Sequence, residues 1–145
     1  KGESYNINVP LLPGGGHDAY MYAMQRIVTP AIERFEPDLI VVACGLDANC
    51  VDPLARMLAH AGTFHELAKQ TMALAERFAK SRIVMVHEGG YAESAVPFCA
   101  HAVLEALSGE KSDVEDPTRE IFELWQPNER MRAFQRQLID EMAGS

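Results

Sequence analysis

Apolar residues recur along the chain either at helical spacing or in short unbroken runs. Helical spacing over 20–35, 63–80 and 94–107 predicts helices that each bury one side. Pro30 lies inside the first of these stripes, where it should kink the helix or open a new first turn. A more charged stretch over 110–145 ends in a further amphipathic segment, which we expect to wrap the outside of the domain.

Residues that commonly begin or end helices flank these stripes. Asp18 can cap the first helix, and Pro37 should stop it. Thr63 followed by Glu66 has the spacing of a capping box at the start of the second helix. Gly109 stands just past the end of the third, where glycine readily takes the left-handed conformation that closes a helix.

Two unbroken apolar runs, at 39–43 and 83–86, predict buried strands. Apolarity without alternation indicates that both faces of each strand are covered, as in a parallel sheet. Residues 5–12 predict a further strand end or extended segment, which Pro10 terminates. The alternation of strands with helices therefore predicts a doubly wound α/β sheet.

Composition narrows the class of protein. Of the 145 residues, 48% are hydrophobic and 23% are charged, which is typical of a globular domain. The formal net charge of −8 argues against a nucleic-acid partner and fits a cationic ligand better. The three cysteines lack CxxC spacing, so they predict neither a disulfide framework nor a zinc ribbon and indicate a cytoplasmic protein. No apolar run has membrane-spanning length, and we expect no membrane partner.

Candidate chemistry follows the two predicted strands, because ligands of an open parallel sheet bind beyond the carboxyl ends of its strands. The first strand runs into GLDANCVDP and the second into HEGGY. Asp47 can reach a cation from the end of its strand, or it can cap the next turn. Asp52 precedes a proline, a pair that usually starts a turn. Tyr91 follows two glycines, so its hydroxyl can serve a pocket as an oxyanion donor, or its ring can simply pack.

A zinc site needs more than Asp47, since catalytic zinc usually has three protein ligands. His60 and His65 do not share one helix face and are interpreted as surface or packing residues. His101 lies in a predicted helix and is interpreted as structural, whereas His17 in the glycine loop is ambiguous. The cysteines are typical of small buried residues. Taken alone, these residues predict a partial site.

Three segments together resemble the second half of the catalytic domain of zinc-dependent deacetylases, the histone deacetylase and acetylpolyamine amidohydrolase family. They read YNINVPLLPGGGHDAY, FEPDLIVVACGLDANCVDPLARM and RIVMVHEGGY, and their order and spacing match over about residues 4–108. The EGGY form, with VPFCAHAVLEALSG behind it, is similar to bacterial members related to class II. The resemblance implies an α/β, arginase-like three-layer fold with a mainly parallel sheet, of which this chain is the C-terminal portion. It assigns 1–110 to the catalytic domain and 111–145 to a C-terminal extension whose helix packs on the same domain.

The resemblance also implies roles for single residues. Asp47 matches a zinc ligand of the family, and Tyr91 matches its electrophilic catalytic tyrosine. Substrate binding falls to Leu54, at a position that lines the acyl-lysine tunnel, and to Gly89 and Gly90.

Other family features are peripheral to this chain or missing from it. Tyr5 matches a position whose backbone contributes to a structural potassium (K⁺) site in some members. The family's two acid–base histidines and its Asp-x-His ligand pair precede the glycine loop and have no counterpart here.

The expected function is therefore zinc-dependent (Zn²⁺) hydrolysis of an N-acetyl amide, such as acetyl-lysine or an acetylpolyamine, to an amine and acetate. The partner is an acetylated amine substrate, and a homo-oligomer is left open. Because the chain opens on Lys1 rather than on methionine, we expect an upstream part to complete the active site, and the fragment alone to be inactive. The alternative is a catalytically incomplete fragment that acts as a structural or binding module. A nucleotide-binding domain built on Gly14–Gly16 is weaker, because the GKS/T and GxGxxG contexts are absent.

Overall fold

The computed structural model describes residues 5–144 and places helices against a short parallel sheet. The strands are β1 (Ile40–Cys44) and β2 (Ile83–His87), and a π-helical segment (Met24–Val28) joins the first two helices. The helices are α1 (His17–Ala23), α2 (Thr29–Phe35), α3 (Ala61–Phe78), α4 (Val96–Ser108), α5 (Arg119–Leu124) and α6 (Glu129–Ala143). This alternation of helices with parallel strands confirms the predicted α/β class. Within the described residues, no helix combines the length and apolarity that crossing a bilayer requires.

The first extended segment differs from its prediction. Residues 5–12 are irregular, and the amide of Leu11 donates to the carbonyl of Val9 at 2.9 Å, which turns the chain locally. Pro10 has no N–H with which to join a ladder, so a strand is not favoured at this point. The interpretation of this segment as the first strand of an alternating series is therefore wrong.

β1 and β2 pair in parallel, with Ile40 opposite Ile83 and Cys44 opposite His87. α3 lies between them in sequence and returns the chain to the starting edge, as a parallel crossover requires. Because the strands run in the same direction and in register, their carboxyl ends lie at one edge of the sheet. The loops that follow the strands therefore meet at that edge.

One face of this sheet is covered and the other is not. Cys44 and Met85 pack against a buried cluster between the sheet, α3 and α4, which comprises Leu46, Ala59, Phe64, Ala68, Cys99, Val103 and Ala106. On the opposite face Val41, Val84 and Val86 are exposed. The prediction that both faces are covered is wrong for the part of the chain that the structure describes. Unbroken apolarity shows that both faces are apolar, and it does not show what lies on them.

Pro30 changes the helix in which it lies without ending it. It has no N–H to donate to the carbonyl of Arg26, and the turn ahead of it widens into the π-helical segment before α2 begins. After α2, Glu36 takes a φ of 48°, so the chain leaves the helix before Pro37, as predicted.

Of two further predicted helix ends, one is confirmed and the other is wrong. Gly109 closes α4 at a φ of 72°, as predicted. The prediction that Asp18 caps the first helix is wrong, because Asp18 lies inside the first turn of α1 and its carboxylate accepts hydrogen bonds from Arg136.

The capping box of α3 consists of His60 and Thr63 rather than Thr63 and Glu66. The Nδ1 atom of His60 accepts a hydrogen bond from the amide of Gly62 at 3.2 Å, and the Oγ1 atom of Thr63 accepts one from the amide of His60 at 3.3 Å. Histidine is not among the residues favoured at this position, which is why the sequence pattern placed the start of the helix too late.

α6 packs on α1 and on the π-helical segment. Ile139 is buried against Ala19, Ala23 and Ile27. Around this apolar contact the hydroxyl of Tyr22 donates to Asp140 at 2.9 Å, and Asp140 also pairs with Arg26. α6 therefore packs on the first helices of the chain, while the division of the chain at residue 110 stays a prediction.

Candidate active-site edge

Two loops meet where the strands end. We call residues 45–55 the first loop and residues 88–95 the second loop. The amide of Glu88 donates to the carbonyl of Cys44 at 3.1 Å, and the amide of Leu46 donates to the carbonyl of Gly89 at 2.6 Å. These bonds continue the pairing of β1 with β2 into the loops, so the two loops run side by side.

Asp47 lies half-buried between two glycines, one from each side. A Cβ atom added to Gly45 would stand 2.9 Å from Oδ1 of Asp47, and one added to Gly89 would stand 2.5 Å from its Oδ2. The two glycines therefore make room for the predicted ligand, a role that the sequence analysis did not assign to them.

Tyr20 on α1 is a neighbour of this carboxylate that sequence reasoning did not single out. Burial, with the negative charge of Asp47 as the second cause, raises the pKa of Tyr20 to about 12. Its phenol is therefore neutral at physiological pH. A tyrosine at the start of a helical stripe carries no local signal that would reveal this proximity.

Tyr91 is held by its backbone while its side chain stays accessible. Its ring is 54% exposed, and its amide donates to Oδ2 of Asp52 at 2.8 Å. The preceding Gly90 has a φ of +140°, which side-chain-bearing residues rarely adopt. A glycine is required here because the chain must turn sharply before it presents Tyr91.

Asp52 joins the two loops through the two oxygens of one carboxylate. Its Oδ1 accepts hydrogen bonds from the amides of Leu54 at 2.9 Å and Ala55 at 3.3 Å, which is the turn that its position before proline predicts. Its Oδ2 reaches the amide of Tyr91 in the second loop. Burial acts to raise the pKa of this carboxyl group, but the hydrogen bonds from Tyr91, Leu54 and Ala55 outweigh it and lower the pKa.

The remaining residues of the predicted site lie in the two loops, except for Tyr5. Leu54 is exposed beside the turn that Asp52 makes, and Gly89 and Gly90 lie in the second loop close to Asp47 and Leu46 respectively. Tyr5 is exposed and packs edge to face on Phe35 with ring centroids 6.1 Å apart, so its role at a cation site stays a prediction.

The histidines have structural contacts. His17 stacks on His60 with ring centroids 5.7 Å apart, and its Nδ1 lies 3.2 Å from Oγ1 of Thr63. His65 lies with its Nδ1 3.0 Å from the carbonyl of Ala102, and His101 contacts Ser112. These contacts agree with the interpretation of His60, His65 and His101 as packing residues and give His17 the same character.

Asp47 is the residue at this edge that the sequence predicts as a metal ligand. Within residues 5–144, no group of three or more His, Cys, Asp or Glu side chains is placed to hold a metal ion. A carboxylate is a suitable zinc ligand, but catalytic zinc usually takes three protein ligands. Asp47 therefore suits one ligand position of a zinc site, and the described residues do not supply a complete set of ligands.

The fold and this edge define a class: an α/β domain with a half-buried carboxylate and an exposed tyrosine at the carboxyl ends of parallel strands. A profile of the histone deacetylase domain matches residues 1–107. A histone deacetylase-like amidohydrolase of Pseudomonas aeruginosa is 60% identical over 143 residues, which is 99% of this chain and 38% of that protein. The chain belongs to the histone deacetylase family.

More distant relatives and solved structures agree. A probable deacetylase of Archaeoglobus fulgidus is 33% identical over 126 residues, 86% of this chain and 35% of that protein. The structure of the histone deacetylase Clr3 superposes with a TM-score of 0.74 at 24% identity, over 97% of this chain and 22% of that one. The HD domain of HDA15 superposes with a TM-score of 0.68 at 25% identity, over 94% of this chain and 38% of that one. The predicted deacetylase-like fold is confirmed, and this chain spans little more than a third of the length of the two relatives from Pseudomonas aeruginosa and Archaeoglobus fulgidus.

Proposed function

We propose that the complete protein catalyses zinc-dependent hydrolysis of an N-acetyl amide, with Asp47 as one zinc ligand and Tyr91 as the catalytic tyrosine. The observation that carries this proposal is that hydrogen bonds between the two loops bring both residues to one edge of the sheet. Membership of the histone deacetylase family supports the reaction class.

In this reaction water adds to the acetyl carbon, the C–N bond breaks, and the products are acetate and a protonated amine. Zinc, when bound, supplies Lewis acidity at the carbonyl. The hydroxyl of Tyr91 donates a hydrogen bond to the oxygen on which negative charge develops. The exposure of Tyr91 suits that role, because a substrate can approach it without displacing a packed side chain.

The proposed substrate class rests on the net charge of the chain and on the exposed side chain of Leu54 in the first loop. Leu54 is exposed and apolar, which fits the aliphatic stem of an acetylated amine. The net charge of −8 favours a cationic substrate, such as an acetyl-lysine peptide or an acetylpolyamine, over nucleic acid. A cytoplasmic location, a homo-oligomeric state and a potassium site at the backbone of Tyr5 are further parts of the proposal.

A second candidate is a structural or binding module without activity of its own. The observation in its favour is that the described residues contain no group of three or more His, Cys, Asp or Glu side chains that could hold a metal ion. Zinc content separates the two candidates, since a binding module has no need of the metal.

The test is a substrate panel on the protein encoded by the complete reading frame. Acetyl-lysine peptides, acetylputrescine and acetylspermidine are incubated with enzyme as purified, after chelation, and after zinc is restored. We expect acetate release that chelation abolishes and zinc restores. Release that survives chelation would contradict zinc dependence, and no release from any substrate after zinc loading would contradict the enzymatic function.

A further inference from the structure

Asp52 has surroundings that a simple turn residue does not need. Its side chain is nearly buried, with the residue only 8% exposed, and it divides its acceptor oxygens between two loops. Oδ1 holds the amides of Leu54 and Ala55, whereas Oδ2 holds the amide of Tyr91, 39 residues further along the chain. A turn is complete with the first oxygen alone, so the second oxygen calls for a separate explanation.

On one side of Tyr91 the second loop is anchored by Ala92, which packs on Phe122, whereas the residues on the other side are glycines. Gly89 and Gly90 carry no side chains that could pack, and Gly90 has a φ of +140°. The Tyr91 ring is half exposed. A hydrogen bond from an amide to an ionised, water-excluded acceptor is stronger than a neutral one, and it defines where the following side chain starts.

The carboxylate is itself firmly placed. The amide of Asp52 donates to the carbonyl of Asn49 at 3.1 Å, and Asn49 is buried and accepts a hydrogen bond from the amide of Val51 at 2.9 Å. The first loop therefore sets the position of Asp52. The hydrogen bond from the amide of Tyr91 to Oδ2 of Asp52 then fixes the backbone of the second loop relative to the first.

We propose that Asp52 is a positioning residue that sets the place of the Tyr91 hydroxyl relative to the carboxylate of Asp47 and to the stem of the substrate at Leu54. This inference rests on the proposed deacetylase function. It deepens that function because one carboxylate links a substrate-lining position to the catalytic tyrosine. A displacement of about 1 Å at a reacting group can cost about 100-fold in rate, so the link matters for turnover more than for binding.

Asp52→Asn separates the two roles of the side chain. The amide oxygen of asparagine can keep the bonds to Leu54 and Ala55, while its NH₂ group then faces the Tyr91 amide, donor against donor. Asp140→Asn is the matched control, because Asp140 also accepts two side-chain hydrogen bonds, from Tyr22 and Arg26, at the contact between α6 and the α1 region.

The measurements are kcat and KM for the best acetylated amine, zinc content, and deuterium exchange of the amides in residues 88–92, all on the complete protein. For Asp52→Asn we expect kcat to fall about tenfold or more, KM to stay within about threefold, zinc content to be retained, and exchange to rise in 88–92. Asp140→Asn should leave all four unchanged. Unchanged kcat with unchanged exchange, or a loss expressed only in KM, overturns the proposal.

Two further arms keep the test decisive. If Asp52→Asn does not yield folded protein, Asp52→Glu takes its place, because it keeps a carboxylate but moves the acceptor by one methylene; the same split between kcat and KM is expected, and a wild-type kcat overturns the proposal. If the wild-type protein hydrolyses no acetylated amine, the proposed function fails, and the exchange of residues 88–92 alone then decides whether Asp52 positions the second loop.

Discussion

The first and second loops lie side by side at the same sheet edge but are held in different ways. The first loop bonds to itself and to the chain that follows it: Asn49 is buried and bonds to Val51, and the amide of Cys50 donates to the carbonyl of Ala59 at 2.9 Å. The second loop is rich in glycine and bonds across to Cys44, Leu46 and Asp52. The loop that presents the tyrosine therefore takes its shape from the loop that presents the carboxylate.

The proposed metal ligand lies on the first loop, which is hydrogen-bonded within itself. The proposed catalytic tyrosine lies on the second loop, where it is exposed. The contact between the two loops should therefore be sensitive to substitutions in either loop and in α5, which packs against both.

The largest effect is expected beneath the second loop. Phe122 of α5 is 4% exposed and packs with Ala92 and Ala95 of the second loop, beside Cys50 of the first. Phe122→Ala should lower the free energy of unfolding by about 3–5 kcal/mol, because it removes a buried aromatic ring and leaves a cavity. Urea denaturation of the complete protein measures it.

Leu124, on the same helix, provides the control, since it is 82% exposed. Leu124→Ala should change the free energy of unfolding by no more than about 0.5 kcal/mol. Equal losses in the two variants would show that α5 does not support the second loop.

A smaller effect is expected where the loops approach most closely. Gly89→Ala places a methyl group 2.5 Å from Oδ2 of Asp47, so the carboxylate must move. We expect zinc affinity to fall about tenfold or more, because the ligand leaves its position, whereas Gly144→Ala meets only ordinary contacts and should change nothing. Competition with a chromogenic chelator gives both affinities, and equal values would remove the steric role of Gly89.

The sequence predicted the loops better than their surroundings. Strand positions and the rule that ligands bind beyond parallel strand ends were enough to select the segments that carry Asp47 and Tyr91. Only the family resemblance gave them chemical roles, because a carboxylate and a tyrosine at loop positions are compatible with capping and packing. The hydrogen bond from Tyr91 to Asp52 spans 39 residues, and no local pattern reports such a contact.

The errors have physical causes of the same kind. His60 replaces Thr63 as the helix cap because a neutral imidazole can accept an amide hydrogen bond, although this is uncommon. Asp18 pairs with Arg136 rather than capping its helix, because α6 brings an arginine to it from the far end of the chain. Local propensity cannot anticipate either partner.

The smallest effect concerns the segment to which the first loop is hydrogen-bonded. The carbonyl of Ala59 accepts a hydrogen bond from the amide of Cys50, and the next residue, His60, is the N-cap of α3. Burial, and then the proximity of His17, lower the pKa of His60. The unfolded chain therefore binds this proton at a higher pH than the folded one. Stability is fully present above about pH 6.5 and is lost as the pH falls from there towards the lowered folded value.

His60→Asn keeps a side-chain acceptor at the cap but does not titrate in this range. We expect the variant to lose less stability than the wild type between pH 7 and pH 5, as measured by urea denaturation at each pH. Parallel stability curves for the two proteins would mean that His60 is not the group responsible.

The division of labour between the loops is tested most directly by measuring zinc content and turnover on the same samples of Asp47→Ala and Tyr91→Phe in the complete protein. Asp47→Ala should lose bound zinc and turnover together. Tyr91→Phe should retain wild-type zinc while kcat falls about 100-fold or more, because only the hydrogen bond to the developing negative charge is removed. Full zinc occupancy in Asp47→Ala, or wild-type turnover in Tyr91→Phe, would contradict the assignment of these two residues.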